Sequence, residues 1–479
     1  MTDGSLTILF MPESAYGPTN NCIGIGNELL RRGHRVVFAA ERSWEGKLEA
    51  LGFEEDLVDL APPAEDAGDE PEEQDAGQFW KDYIRDVSPE FRKTTTEQLE
   101  TVTRPIWEAL VDGAKYCEPQ LRDIIARVRP DVIVEDNVLV FPALTTAGVP
   151  FVRIVSCNPL EVPGDEIAPA FSGLAERDRE GWAGFRAEYE RTHRTLWQEF
   201  DAWAQEQGAA PLPELEFIGA GDENLYVYPT ALDYDEARPL GASWHRLESS
   251  VRETEAETPE LPASYTDGSR PLIYFSLGSL GSADVELMRR VIAALAVQPV
   301  NVIVSKGPLH DEIELADNMW GAEFLPQTKL LPLADLVITH GGNNTTTEAM
   351  HFGKPMVLLP LFWDQYDNAQ RVDERGFGVR LDPYRFTPDE LAGAIERLLG
   401  DAALRARLDE VSAAIRAQGG IARAADVIEA AASRDATAGA ATSAATGSVA
   451  SERSGSSAGS ASSAGPAASA PVAHAVASA

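Results

Sequence analysis

Apolar residues fall in short runs along this chain, and between them the hydrophobic spacing switches from strand-like to helix-like. Leu6 to Met11 is a continuous apolar run, followed by a polar, glycine-bearing loop from Pro12 to Asn21. A helix then runs through Glu28, Leu29 and Leu30 and stops at Gly33, and His34 to Ala40 is a second strand. A strand–helix–strand opening of this kind predicts a parallel sheet with right-handed crossovers. Phe91 to Val128 reads as mostly helical with a break at Pro105. Strands follow at Pro130 to Asp136 and Val149 to Val155, and Phe185, Tyr189, His193, Trp197 and Phe200 carry helical spacing between Gly181 and Gln207. From Leu272 the alternation starts again. Strands are predicted at Leu272 to Phe275, Val300 to Val304, Ala322 to Leu325, Leu336 to Thr339 and Met356 to Leu359. Amphipathic helices are predicted at Pro388 to Leu399, Leu404 to Ala417 and Ile421 to Ala432.

Between these two alternating halves, residues 236–270 are rich in Pro, Ser, Glu and Thr and read as a connection carrying a short strand or two. Past Arg434 the chain is almost all Ala, Ser, Gly and Thr, too poor in large apolar groups to offset chain entropy. The expected organisation is therefore α/β: residues 1–235 as a first domain, 236–270 as a linker, 271–432 as a second domain and 433–479 as a disordered tail.

Composition narrows the function. The 479 residues contain 40 Lys+Arg against 77 Asp+Glu, a net charge of −37. Such a surface repels nucleic acid and anionic membrane and disfavours a polyanionic substrate. The acid is densest between Glu54 and Asp75, which reads as a solvated loop or a lid. No apolar run reaches the roughly 20 residues of a membrane span. The first residues, MTDGSLTILFMPES, lack a basic segment and read as a strand instead of a signal peptide. The three cysteines, Cys22, Cys117 and Cys157, are odd in number and far apart, as in a cytoplasmic protein with reduced thiols.

Four motifs in the second half carry chemistry. In FSLGSLG, Phe275 to Gly281, a strand runs into small residues, and Ser279 can donate its hydroxyl to a phosphate. In Phe324-Leu325-Pro326-Gln327, an aromatic and an amide at a strand end suit a base, or equally a core ring and a loop amide. In HGGNNTTTE, Gly341 and Gly342 clear space for a diphosphate, and His340 can donate to a phosphate oxygen. Asn344 and Thr345 there open a helix whose amides and dipole favour an anion. Glu348 can accept the hydroxyls of a ribose, or close a capping box with Thr345. Finally, Asp364 and Gln365 place a carboxylate beside an amide, which suits vicinal sugar hydroxyls; Asp364 or Asp367 can also start the next helix.

In this order the motifs from 322 to 368 resemble the donor-binding signature of the family 1 nucleotide-sugar glycosyltransferases, the UDP-glycosyltransferases of GT-B fold. The likeness runs from about residue 5 to 432, and Asn343 in place of the plant-type Trp resembles bacterial macrolide-type members. The resemblance implies two facing Rossmann-like domains, each with a parallel sheet and helices on both faces, and inverting hexosyl transfer without a metal or other cofactor. It implies diphosphate binding at Ser279, His340, Asn344 and Thr345, the base at Phe324 and Gln327, ribose at Glu348 and sugar at Asp364 and Gln365. Gln365 favours UDP-glucose, with a dTDP-deoxysugar open. Phe324 stands where the family often has Trp, so its stacking area is smaller. The expected partners are a nucleotide sugar and a small, mostly apolar acceptor, with the protein a monomer or homodimer.

One family feature is missing. Members carry a Gly-His pair in the loop after the first strand, and the His serves as general base. Counted back from Arg32-Gly33-His34, the pair falls on Gly17-Pro18. The orienting carboxylate of that His has a counterpart in Asp136, which could also be a helix-capping Asp. Either Asp136 takes the proton itself, or the acceptor attacks through a nitrogen that needs no prior deprotonation, or the chain is a catalytically weak, nucleotide-sugar-binding auxiliary. With a different alignment, Glu13 or Tyr16 becomes relevant. The acceptor pocket is expected from Glu13 to Asn21, from the segment of Phe79, Trp80 and Tyr83, and from Asn137 to Phe141.

Overall fold

A computed structural model of the protein describes residues 4–62, 86–255 and 258–447, with side chains as far as Arg434. Residues Met1–Asp435 form one compact unit. It is built on two sheets in which all pairings are parallel. The first has the order β3-β2-β1-β4-β5-β6-β7, from β1 (Thr7–Pro12), β2 (Arg35–Phe38), β3 (Glu54–Glu55), β4 (Val132–Asp136), β5 (Phe151–Val155), β6 (Glu223–Tyr226) and β7 (Trp244–Arg246). The second has the order β10-β9-β8-β11-β12-β13, from β8 (Leu272–Ser276), β9 (Asn301–Ser305), β10 (Met319–Ala322), β11 (Leu336–Thr339), β12 (Met356–Leu358) and β13 (Gly378–Arg380). The central strands are buried nearly throughout, as expected when helices cover both faces.

Both sheets reverse their strand order at a central pair, β1/β4 in one and β8/β11 in the other. A crevice opens beyond the carboxyl ends of such a pair, and ligands of open α/β sheets bind there. Asp136 stands at one such end, in register with Pro12, and Ser276 at the other, in register with Thr339.

Several boundaries differ from the sequence expectation. The first helix spans Tyr16–Arg31, so the loop expected to reach Asn21 ends at Ala15. Gly17 and Pro18 look like helix breakers, but a proline in the first turn gives up only an N–H that has no helical partner anyway. Pro105 sits at the start of Arg104–Val128, and the break it causes is a π-helical turn at Leu99–Thr103. Strand β10 ends at Ala322, leaving Phe324 beyond it. β7 lies inside the connecting segment 236–270 and completes the first sheet. The last helix, Gly420–Gly447, passes residue 433 without stopping, because an Ala-rich stretch retains helix propensity after it has lost an apolar face; residues 448–479 lie outside the described residues.

That last helix returns to the first domain. Ala424, Ala425, Ile428, Ala431 and Ala432 share a buried cluster with Ile8, Phe10 and Ile23. Arg32 donates to Asp426 at 2.7 Å and to Glu429 at 3.0 Å, and His34 pairs with Glu429 at 2.8 Å. The second-domain segment thus straps the first domain from behind, which leaves the two switch points facing each other.

Candidate active site

The carboxyl ends of both sheets open into a cavity of about 580 Å³. Of the residues singled out from the sequence, Glu13, Tyr16, Asp136, Asn137, Ser279, Phe324, Gln327, His340, Gly342, Asn344, Thr345, Glu348, Asp364 and Gln365 all line it. Gly341 does not: it makes the turn itself, with φ +91, and a Cβ there would lie 3.0 Å from the Gln365 carbonyl. Phe79, Trp80, Tyr83 and the acidic run beyond Pro62 lie outside the described residues.

His340 follows β11 and is held between glycines. A Cβ on Gly278 would come within 2.6 Å of its Cε1, and one on Gly342 within 2.6 Å of its Nε2. No other residue fits at either position without displacing the ring. Burial lowers the imidazole pKa to about 4, so it is neutral at pH 7 and meets an anion as a hydrogen-bond donor. The helix Asn343–His351 begins beside it with Gly342 as its cap residue and no side-chain cap. Its early N–H groups have no partner within the helix, and its dipole points at the cavity. Glu348 therefore lies in the second turn, and the capping box expected with Thr345 is not formed.

Glu348 is buried and already engaged. Gln327 donates to it at 2.6 Å and Arg252 at 3.0 Å. Arg252 also pairs with Glu255, which accepts from the amide and hydroxyl of Thr328 at 2.7 and 2.6 Å. Sequence reasoning missed Arg252 and Glu255, because a charged pair in a Pro/Ser/Glu/Thr-rich connection looks like solvated linker. Phe324, 42% exposed, faces Tyr16 of the first domain at 5.9 Å, and Tyr16 packs edge-on against Trp44 at 5.3 Å.

The tip carrying Asp364 and Gln365 is set by Trp363, whose φ of +57 is rare for a bulky side chain. Strain of this kind costs of order 1–3 kcal/mol and is held by packing, here against Phe171 at 4.4 Å and Trp107 at 5.2 Å. Asp364 opens the helix Asp364–Glu374 and accepts from the Asn343 amide at 3.0 Å and from Asn368 at 3.1 Å. The side-chain Oε1 of Gln365 accepts from the backbone amides of Leu361 and Phe362 at 3.0 and 3.3 Å, which commits its acceptor end to the turn.

Two asparagines join the domains. Asn343 donates to the carbonyls of Ser156 at 2.6 Å and Val227 at 3.1 Å. The Asn344 side chain donates to the Gly17 carbonyl at 2.9 Å and accepts from Asn21 at 3.2 Å. What the Asn344 position can offer an anion is thus its backbone amide.

On the first-domain wall, Asp136 is buried. Ser156 donates to both its oxygens at 2.7 and 2.9 Å, and Asn21 lies at 3.5 Å. It caps no helix, and burial pushes its pKa well above the ordinary carboxylate range. Pro18 lines the cavity and offers no proton acceptor there. Asn137 accepts from the Val138 amide at 2.7 Å, and Glu13 accepts from Ser14 and the Ala15 amide, both at 2.9 Å. Ile106, Leu110, Val138, Phe362 and Trp363 give this side of the cavity an apolar face.

Known proteins are similar to this chain over most of its length. The family described as erythromycin biosynthesis protein CIII-like, C-terminal domain, matches residues 289–430. Demethyllactenocin mycarosyltransferase of Streptomyces fradiae is 26% identical over 88% of this chain and 86% of its own length. NDP-glycosyltransferase YjiC of Bacillus subtilis is 27% identical over 88% of this chain and 96% of its own. The crystal structure of the glycotransferase of kitacinnamycin superposes with a TM-score of 0.66 at 23% identity, covering 89% of this chain and 99% of that one. Two parallel sheets facing one cavity and likeness over most of the chain to enzymes of this kind make it a glycosyltransferase of GT-B fold, similar to the bacterial macrolide-type members of family 1.

Proposed function

We propose that the protein transfers a hexose from a nucleoside-diphosphate sugar, with UDP-glucose favoured, to a small and mostly apolar acceptor, with inversion at the anomeric carbon. The observation that carries this reading is convergence: Ser279, His340, Glu348 and Gln365, widely spaced in sequence, ring one cavity with Asp136. The diphosphate is taken by Ser279, neutral His340 and the amides of Asn344 and Thr345, without a metal or other cofactor. The ribose meets Glu348, the base meets Phe324 and Gln327, and the hexose meets Asp364 and the amide end of Gln365. Asp136, held by Ser156, faces the acceptor nucleophile. The apolar wall of Ile106, Leu110 and Val138 supports an apolar acceptor. Three unbridged cysteines support a cytoplasmic site of action.

Pro18 favours a second reading, in which transfer goes to nitrogen or the chain is a weak, sugar-nucleotide-binding auxiliary. UDP-glucose incubated with a phenol, an aliphatic alcohol and an aromatic amine separates these outcomes by UDP release and product mass. Transfer to any of them excludes the auxiliary, and transfer to the amine alone selects nitrogen. UDP binding, seen as a rise in Tm, without any transfer, selects the auxiliary.

A further inference from the structure

Six carboxylates line the cavity: Glu13, Asp136, Glu161, Glu255, Glu348 and Asp364. Five of them have a side-chain donor: Ser14 for Glu13, Ser156 for Asp136, Arg252 for Glu255, Gln327 and Arg252 for Glu348, and Asn368 for Asp364. Among the described residues Glu161 has none, and only the backbone amide of Asn158 supports its carboxylate. Glu161 closes the short turn Pro159–Glu161 that follows β5, the strand beside the one that ends in Asp136. Its charge is felt by Asp136 and Cys157 on the first-domain wall and by Asp364 at the sugar tip of the second. It lines the same cavity as Asp136 of the acceptor wall and Asp364 of the sugar tip, where a nucleophile would meet the anomeric carbon. We propose, on the glycosyl-transfer reading above, that Glu161 is the catalytic residue that takes the proton of an acceptor hydroxyl, the task for which Pro18 has no group.

The chemistry fits the surroundings. Glu161 is half-buried, and its partial loss of water lifts the carboxyl to about 7, opposed by the charge of Arg153. A base whose pKa lies near the working pH accepts a proton far better than an ordinary carboxylate. The charged and titratable groups around it are Arg153 on β5, Glu135 and Asp136 on β4, Glu13 after β1, Glu216 before β6, and Cys157 and Asp364. Arg153 is the one cation among them, so the acids compete for its charge and some remain protonated near neutrality. In the step, the acceptor oxygen forms its bond to the anomeric carbon while its proton passes to Glu161. The bond from that carbon to the phosphate oxygen breaks with its electron pair going to the nucleoside diphosphate. Glu161 then loses the proton to solvent.

The test compares wild type, Glu161→Gln and Asp136→Asn with UDP-glucose and two acceptors, the phenol 4-methylumbelliferone and the amine 3,4-dichloroaniline. For the phenol, Glu161→Gln should lower kcat about 10²- to 10⁴-fold and abolish the acid limb of the pH–kcat profile near 7. Transfer to the amine should fall less than about tenfold, and the UDP-induced rise in Tm should be kept. Asp136→Asn should retain the limb near 7. Glu161→Gln with a phenol rate within about threefold of wild type, or with the limb intact, overturns the proposal. If that variant loses the UDP-induced rise, Glu161→Asp decides: a rate at least about tenfold lower with the limb kept supports the proposal, and the full rate overturns it. A wild-type protein that binds UDP yet transfers to neither acceptor overturns the functional reading instead.

Discussion

At the end of β11 the cavity meets a neutral imidazole, a glycine turn and a helix start, while at the ends of β4 and β5 it meets carboxylates in a low-dielectric wall. The donor side holds its groups fixed before any ligand arrives: His340 between two glycines, Glu348 between Gln327 and Arg252, and Gln365 capping its own turn. The acceptor side holds Glu135 and Glu161 above their usual pKa, with one arginine to share among them. One end is built to receive a dianion with little rearrangement, and the other to trade protons. The comparison teaches that burial serves leaving-group stabilisation and nucleophile activation by different routes. Burial strengthens fixed dipoles aimed at charge, but it makes a carboxylate a stronger base.

The largest effects should come from breaking the donor side. Gly342→Ala drives a methyl into the His340 ring, and His340→Ala removes the donor to the leaving group. Each should lower kcat about 10²- to 10³-fold, in the range of losing one preorganised oxyanion donor. Gly342→Ala should also abolish the UDP-induced rise in Tm, because the displaced ring blocks the anion site. An unchanged kcat in His340→Ala would mean that the helix start alone carries the charge. A smaller loss should follow from Asn343→Ala, which leaves the carbonyls of Ser156 and Val227 without their buried donor. About 1–3 kcal/mol of stability should be lost in urea unfolding, with KM for both substrates rising as the domains loosen.

The acceptor side answers to pH. Glu161 and Glu216 are held near 7, above their ordinary value, so the folded protein binds protons between about 4.5 and 7 that the unfolded chain releases. Stability from these two is therefore present at low pH and lost as pH rises through 7. His193, His340 and His351, lowered to about 4, act oppositely: the unfolded chain protonates first, and stability falls as pH drops from about 6.5 towards 4. Glu216→Gln should remove part of the high-pH loss and raise stability at pH 8 by about 1 kcal/mol relative to pH 5. Urea titrations at the two pH values check the sign, and a gain confined to pH 5 would refute it.

How much was legible follows the same division. The donor side lies largely on contiguous motifs, each a strand end followed by the small or polar residues that a phosphate or hydroxyl requires, so Ser279, His340, Glu348 and Asp364 could be picked from the chain. Gly341 makes the turn behind the cavity wall, and a turn glycine and a lining glycine look alike in sequence. On the acceptor side, the loops after parallel strands converge from distant segments, and a Glu in Asn158-Pro159-Leu160-Glu161 has no motif. Only the rule that strand carboxyl ends face the crevice could have drawn attention to it. Arg252 was hidden by its linker-like neighbours, and β6 and β13, with Glu, Asn and Arg among their few residues, lack the continuous apolar run that marks the other short strands.

The smallest expected effect sharpens the donor side instead of breaking it. Phe324 is exposed at the cavity mouth, and a larger ring there adds stacking surface for a base. Phe324→Trp gains about 40 Å² of apolar contact, close to 1 kcal/mol at the usual transfer coefficient. KM for UDP-glucose should fall about two- to fivefold with kcat unchanged, since a base contact is the same in ground and transition state. The neighbouring Tyr16, 5.9 Å away, sets the limit on that gain. If the indole instead displaces Tyr16, KM for the acceptor rises while KM for the donor stays put, and Phe324 is then a support for the first-domain helix start and not the platform for the base. Pairing the substitution with Tyr16→Ala separates the two: a stacking gain survives the loss of the tyrosine, and a packing effect does not.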